Sequence, residues 1–400
     1  MLKKLNILIA NDSGLLGGGT EKRLQILVEE LLKRKNIANI SILTYMEDSL
    51  PTHLNAHPKI KHIVFSQNWK QAGSNYHKLL RSKQYDIIQG HNLTMLSPII
   101  FHHSKDYPAL RVWFAHDFWT HCAYRSFVDI SNDSQALCKG FCFQRCIPCG
   151  GSSSTLRLTF FRYLMKQVDV AIAPGDAIQR QFETLRFLDN KWTQITPWID
   201  QSLPLPPIRP INDTLQQTLL FVGSLKGYKG LWTVLRSFAQ IAPQNTHALL
   251  KIVSPDTPSE YPNIQDFIQT HHLEKQISFH SKKTLQELFN DFSQASALIF
   301  PSICMETFGL TWAEAMLAGC PVIASAIAGI TEYAHPFAKL YPPQDTYALS
   351  QLMSKALQTP PNIKHLINAR AYIQNTFHTK KAIDKLLQIY YSGLNEKATP

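Results

Sequence analysis

The chain has 400 residues, of which 44% are hydrophobic, 17% charged and 10% aromatic. That composition excludes a largely disordered protein, and the length favours two domains, because single cores stop growing at roughly 250–300 residues. The net charge of +11 favours anionic partners such as nucleotide diphosphates, anionic membrane surfaces or nucleic acid, although a solvated basic surface explains it equally well.

The first apolar run, Ile7 to Ala10 with Leu5 before it, is followed at once by Asn11-Asp12. It is shorter than the ~7–15 residues of a secretory h-region and reads as a buried strand. No window approaches the ~18 apolar residues of a spanning helix, so the expectation is a cytoplasmic protein, at most peripheral at the inner face of a membrane. The loop NDSGLLGGGTEKRLQ carries Gly17, Gly18 and Gly19 into a helix expected from near Thr20. Glycines allow close backbone approach to an anion at a helix N-terminus, and a plain cap has the same appearance. In that helix Leu24, Leu27, Val28, Leu31 and Leu32 share one face, with Glu21, Lys22, Glu29 and Lys33 expected on the other. ISILTY, DIIQGH, RVWFAH and DVAIAP follow as strands, and His91 and His116 stand at two strand ends.

Five of the seven cysteines fall between 122 and 149. Cys146 and Cys149 have metal-knuckle spacing, and Cys122 and Cys138 complete a four-thiolate set for a structural zinc ion. Thiols without metal, or disulfides, are the competing readings. The Pro-rich stretch LPLPPIRPIND, 203–213, marks a domain junction. TLLFVG, ALLKIV, ISFHS, ALIFPS and PVIAS then form a second strand series. Two such alternating series predict two doubly wound α/β domains facing each other across a cleft, with ligands outside the carboxyl ends of the strands. The expected boundaries are 1–200, with a Cys-rich insert at 117–152, then 201–375, and a terminal helix at 376–400 that packs back on the first domain.

In the second series, GSLKGYKG places Lys226 and Lys229 among three glycines, which suits a diphosphate. It lacks the G-K-[ST] ending of an NTP-hydrolysing loop. ETFGLTWAEAMLAGCPVIAS carries Glu306 in a strand-end loop and Glu314 near the start of a helix beginning at Leu310. Carboxylates there suit a vicinal diol, beside the open N–H groups of Phe308, Gly309 and Leu310. Cys304 and Cys320 read as small core residues.

FPSICMETFGLTWAEAMLAGCPVIASAIAGITE resembles the signature of glycosyltransferase family 4, retaining enzymes of the GT-B fold, with its E-x7-E pair on Glu306 and Glu314. FVGSLKGYKGLWTVLRSF, GGTEKRLQ, DIIQGHN and FAHDFWTHC extend the resemblance over most of the chain in order. It implies that Glu306 holds donor-sugar hydroxyls near the anomeric carbon and that Glu314 binds the ribose. Phe308, Gly309 and Leu310 hold sugar and diphosphate by their N–H groups. Lys229 neutralises the leaving diphosphate, His116 contacts the donor sugar or reacting face, and Gly18 and Gly19 close over the phosphates. The family's usual diphosphate Arg falls on Ser224 here, with Lys226 as the substitute charge. A group of members carries a similar HDxW…C…C…CxxC insert. The implied donor is a UDP- or GDP-sugar and the acceptor a glycan or lipid-linked saccharide.

No D-x-D occurs, so no catalytic metal held by that motif is expected and no cofactor is required for the chemistry. An inactive or non-transferase GT-B relative, such as an epimerase, is the alternative. A nucleic-acid-binding zinc protein is a weaker one, because Lys and Arg are spread along the chain rather than clustered with aromatics. No nucleic-acid partner is therefore expected.

Overall fold

The computed structural model describes residues 3–65, 69–82, 84–128, 138, 141–208 and 217–398. Parts of two features read from the sequence lie outside these: 129–137, 139 and 140 of the Cys-rich insert, and 209–213 of the Pro-rich stretch. The chain divides into two compact units. The first comprises 1–127, 138–200 and 378–400, and the second centres on 201–377.

The first unit holds a seven-stranded sheet made of β1 (Leu5–Ala10), β2 (Ile37–Thr44), β3 (Ile60–Val64), β4 (Ile87–Gly90), β5 (Leu110–Phe114), β6 (Val170–Ala173) and β7 (Trp192–Gln194). Its order is β3-β2-β1-β4-β5-β6-β7, and the paired strands run parallel. The central strands are continuous apolar runs because helices cover both faces. The second unit holds β8 (Thr218–Val222), β9 (Leu249–Val253), β10 (Ile277–His280), β11 (Ala297–Phe300), β12 (Val322–Ser325) and β13 (Lys339–Tyr341) in the order β10-β9-β8-β11-β12-β13, again parallel. In each sheet the strand order reverses beside the first strand, between β1 and β4 and between β8 and β11. Such switch points open a crevice at the carboxyl ends of the strands.

Three strands escape the hydrophobic reading: β3, β7 and β13. Each is the outermost strand of its sheet on one side, so each is half-covered and mixes polar residues into a short run, as IKHIV and KLY do.

The last helix, Thr379–Ala398, belongs to the first unit. Ala382, Ile383, Leu386, Leu387 and Tyr390 recur at helical spacing and enter the same core as Ile7, Ile87 and Val112. Gly393 permits the close approach: a Cβ there would meet Leu110 Cδ1 at 2.7 Å. Asp169, which precedes β6, takes two hydrogen bonds from the Arg111 guanidinium (2.9 and 2.6 Å) and pairs with Lys397 of this helix at 2.6 Å. Burial alone would raise its carboxyl; these partners hold it below the ordinary carboxylate range.

Candidate functional site

Of the side chains singled out from the sequence, Lys229 and Glu306 meet in the second unit, and His91 and His116 meet in the first. In the second unit, β8 runs into a loop that ends as a 3-10 turn at Gly227–Lys229 before the helix Leu231–Ile241. β11 runs into the loop that carries Glu306 and then the helix Leu310–Leu317. These loops flank the switch point. Tyr228 joins them: its carbonyl accepts from the N–H groups of Ile303 (2.9 Å) and Cys304 (3.1 Å). Behind them, Ser325 donates to the Ser302 carbonyl at 2.6 Å.

Lys229 Nζ lies 2.5 Å from Glu306 Oε1, and Ser302 Oγ donates to the same oxygen at 2.7 Å. The Cys304 thiol approaches it at 3.5 Å. Burial would raise the Glu306 carboxyl, but the Lys229 ammonium and these donors outweigh burial and hold it below the usual range. Burial opposes the charge on Lys229 too, and the Glu306 carboxylate reverses that and pushes the ammonium up. The thiol of Cys304 is pushed up to about 12, by burial first and by the Glu306 charge second. Cys304 is thus buried, as expected of a core residue, yet its sulfur touches the site. Cys320 is buried away from it in the strand approach.

Phe308 is buried, its ring packed on Trp312, Tyr333 and Phe377, and Trp312 Nε1 donates to the Phe308 carbonyl at 2.6 Å. That packing fixes the start of the helix, whose cap residue Gly309 has φ 77° and provides no side-chain cap. The first-turn N–H groups therefore have no side-chain cap and no intrahelical acceptors, which is the property an anion site requires. Glu314, expected at the helix mouth, is the fifth residue of this helix and is 7% exposed.

Ser224 does not stand in for a cation. Its hydroxyl donates to Asp256 Oδ2 at 2.5 Å, and the N–H of Leu225 donates to the same oxygen at 2.7 Å. Asp256 follows β9 and pins the loop that carries Lys229. Lys226 is exposed, with its N–H directed to Ser224 Oγ at 3.3 Å. Asp256→Ala is expected to lower stability by about 1.5–3 kcal/mol, the range for losing a charge-assisted contact to buried backbone. Urea denaturation checks this.

In the first unit, Gly18 caps the helix Gly19–Leu32, and its N–H donates to Glu21 Oε2 at 2.9 Å. Glu21 also accepts from Asn11 Nδ2 at 3.3 Å. The expectation that Glu21 lies on the polar face is corrected: it is 8% exposed, because its carboxylate satisfies the helix start. A phosphate drawn to Gly18 would compete with that carboxylate. Asp12, after β1, accepts from the N–H groups of Thr94, Met95 and Leu96 and from the Thr94 hydroxyl at 2.7–3.0 Å. It ties the β1 loop to the β4 loop. Asp12, Glu21 and Asp256 were not singled out from sequence, although each follows a strand or starts a helix where such roles fall.

His91 and His116, after β4 and β5, are in contact: Nδ1 of His91 lies 2.7 Å from Nε2 of His116. Burial lowers the affinity of both rings for a second proton well below the ordinary imidazole value. Arg23 adds to it at His91, and His91, Arg23 and Arg125 add to it at His116. A base whose folded pKa is depressed contributes stability above its unfolded value and loses it as pH falls. The same sign holds for Glu306, at lower pH. Acid titration is therefore expected to lower the denaturation midpoint first below about pH 6.5 and again through the carboxylate range.

Four of the cysteines considered for zinc lie among the described residues. Cys146 and Cys149 lie one turn apart on the helix Phe143–Met165 rather than in a knuckle turn. Among the described residues no three His, Cys, Asp or Glu side chains gather as a metal group, and no disulfide is formed.

Residues 209–375 match the family model for glycosyl transferases group 1, which spans most of the second unit. Both units together have the fold of GT-B glycosyltransferases. Sucrose-phosphate synthase from Thermosynechococcus elongatus superposes with a TM-score of 0.73 at 18% identity, covering 97% of this chain and 99% of that one. HepE of Anabaena, solved with UDP, gives 0.73 at 18% identity over 97% and 100%. An uncharacterised glycosyltransferase of Methanocaldococcus jannaschii is 28% identical over 117 residues, 29% of each chain. The matched segment thus spans under a third of that curated relative. No described helix is long and apolar enough to cross a membrane.

Proposed function

We propose that this chain is a glycosyltransferase that moves a sugar from a nucleotide-diphosphate donor, a UDP- or GDP-sugar, to a glycan or lipid-linked acceptor with retention at the anomeric carbon. The observation that carries the reading is the Lys229–Glu306 pair beside an open helix N-terminus at the switch point of the second sheet. The UDP bound in HepE supports the donor class.

Cleaving a sugar–phosphate bond builds negative charge on the leaving diphosphate and positive charge on the ring. In this reading Lys229 and the N–H groups of Phe308, Gly309 and Leu310 meet the first charge, already oriented before the reaction. The Glu306 carboxylate, held ionised, accepts from donor-sugar hydroxyls and faces the second. Glu314 accepts from the ribose diol. His116 contacts the donor sugar or the reacting face. Retention follows if the leaving phosphate itself deprotonates the acceptor on the face it departs from. The basic surface suits a peripheral site at an anionic, cytoplasmic membrane face, where a lipid-linked acceptor would lie.

Thermal unfolding with UDP and with GDP tests the reading. One of them at 100 times its Kd is expected to stabilise the protein by about 2.7 kcal/mol. Glu314→Ala is expected to cut that gain, read against the variant's own unliganded midpoint. No shift with any nucleoside diphosphate would overturn the donor assignment.

A further inference from the structure

A buried chain of hydrogen bonds leads from the last helix to His116. Tyr390, 0% exposed, donates its phenol proton to Gln89 Oε1. Gln89, also 0% exposed, places Nε2 at 2.5 Å from Nε2 of His91. His91 Nδ1 faces His116 Nε2 at 2.7 Å. His116 is the one member of this chain that reaches the unit's surface. The two imidazoles stack at 4.9 Å, and Phe114 stacks on His91 at 4.9 Å. Trp113 and Trp119 both donate to the His91 carbonyl, at 3.3 and 3.2 Å. The rings therefore have little freedom to turn.

Polarity runs one way along this chain. A phenol in the core needs an acceptor, and the Gln89 oxygen supplies it. Turning the amide over would leave the Tyr390 proton facing an NH2 group, at a cost of about 1–3 kcal/mol for an unmet buried donor. With the amide so fixed, its NH2 group donates to His91, and Nε2 of His91 must be the bare nitrogen. A neutral imidazole carries a single N–H, so the His91 proton is on Nδ1 and is donated to Nε2 of His116. The His116 proton is then on Nδ1.

We propose that Tyr390 and Gln89 are positioning residues that, through His91, hold His116 as the neutral Nδ1–H tautomer, a hydrogen-bond donor toward the sugar or phosphate oxygen it meets. The consequence for the reaction rests on the glycosyltransferase reading; the tautomer itself does not. His116 then acts as a neutral donor and not as a base or a cation, which suits a ligand oxygen that gains charge as the bond breaks. Burial favours the neutral rings, and it suppresses ionisation of Tyr390, which stays a donor.

The test is two-bond proton–nitrogen NMR of the full chain labelled with 15N-histidine, at pH 7 without ligand. The two signal sets are identified by their loss in His91→Gln and His116→Gln. The expected result is both rings neutral and protonated on Nδ1. In Gln89→Leu both are expected to become mixtures of tautomers, and turnover to fall about tenfold with the donor KM within about twofold, the pattern of a lost transition-state contact. Tyr390→Phe, which keeps the ring packing, provides the same comparison if Gln89→Leu does not fold. A His116 proton on Nε2, an imidazolium, or unchanged tautomers in the folded variants would overturn the proposal. Failure of every nucleotide to bind would instead strike the functional reading and leave the tautomers as measured.

Discussion

Lys229→Met is expected to lower sugar transfer by about 10²–10³-fold and stability by about 3 kcal/mol. The rate follows from removing one oriented donor to the departing diphosphate, a loss of about 3–4 kcal/mol of barrier stabilisation. The stability follows from what is left behind. Glu306 has 13% side-chain exposure, and its Oε1 receives Lys229, Ser302 and Cys304. Without the ammonium it is a buried carboxylate with only neutral donors. Breaking a buried pair costs about 3–5 kcal/mol, and the 30% exposure of Lys229 places this one at the low end. The double variant Lys229→Met, Glu306→Gln is expected to regain much of the stability and none of the rate, which separates the two effects in one mutant cycle. The pair also has a pH signature. Glu306 is depressed, so its contribution is present above the unfolded carboxylate value and lost as pH falls. Lys229 is raised, so its contribution is complete below the unfolded lysine value, about 10.4, and lost as pH rises beyond it. Kinetics at saturating donor and denaturant melts check both.

Gly230→Ala is expected to remove activity by displacing the same lysine. Gly230 follows the 3-10 turn with φ 79°, and a Cβ there would lie 1.9 Å from the Pro301 carbonyl oxygen and 2.7 Å from its carbon. Both contacts are backbone, one at a helix start and the other at the end of β11, so neither side yields cheaply. A left-handed residue costs about 1–2 kcal/mol without any clash. With the clash, a loss of about 3 kcal/mol or more is expected, together with separation of Lys229 from Glu306. Gly309→Ala is the matched comparison. Its φ is 77°, but the Cβ meets the Phe300 ring at 2.6 Å, and a ring edge can shift. Its loss is expected to be the smaller of the two. Thermal melts and donor turnover of both variants make the check.

The parts of this site that were legible in the sequence share a physical cause. Buried parallel strands must be apolar throughout, so β1, β4, β5, β8 and β11 stand out, and the loops after them are where chemistry falls. Glu306, Glu314, Lys229, His91 and His116 were singled out that way. What could not be read were partnerships across distance. Nothing in GSLKGYKG reveals that Ser224 is held by Asp256, thirty-two positions later. Nothing in GGTEK reveals that Glu21 turns back to cap Gly18 rather than facing solvent, because helical periodicity counts charge as exposed. Tyr390 lies in the terminal helix, which the sequence marked only as packing back on the first domain, and its hydroxyl contact with Gln89 appears only when that helix joins the first sheet. The cysteine spacing likewise said nothing of local structure: the C-x2-C pair lies along a helix.

The central claim is recognition of a nucleotide-diphosphate sugar at the second unit's strand ends. It is tested most directly by crystal structures of the chain with UDP and with GDP. The account predicts, for at least one of them, a ribose whose hydroxyls reach the Glu314 carboxylate and a diphosphate within contact of Lys229 and the N–H groups of Gly309 and Leu310. A bound nucleotide lying elsewhere, with Glu314 and Lys229 untouched, would contradict it.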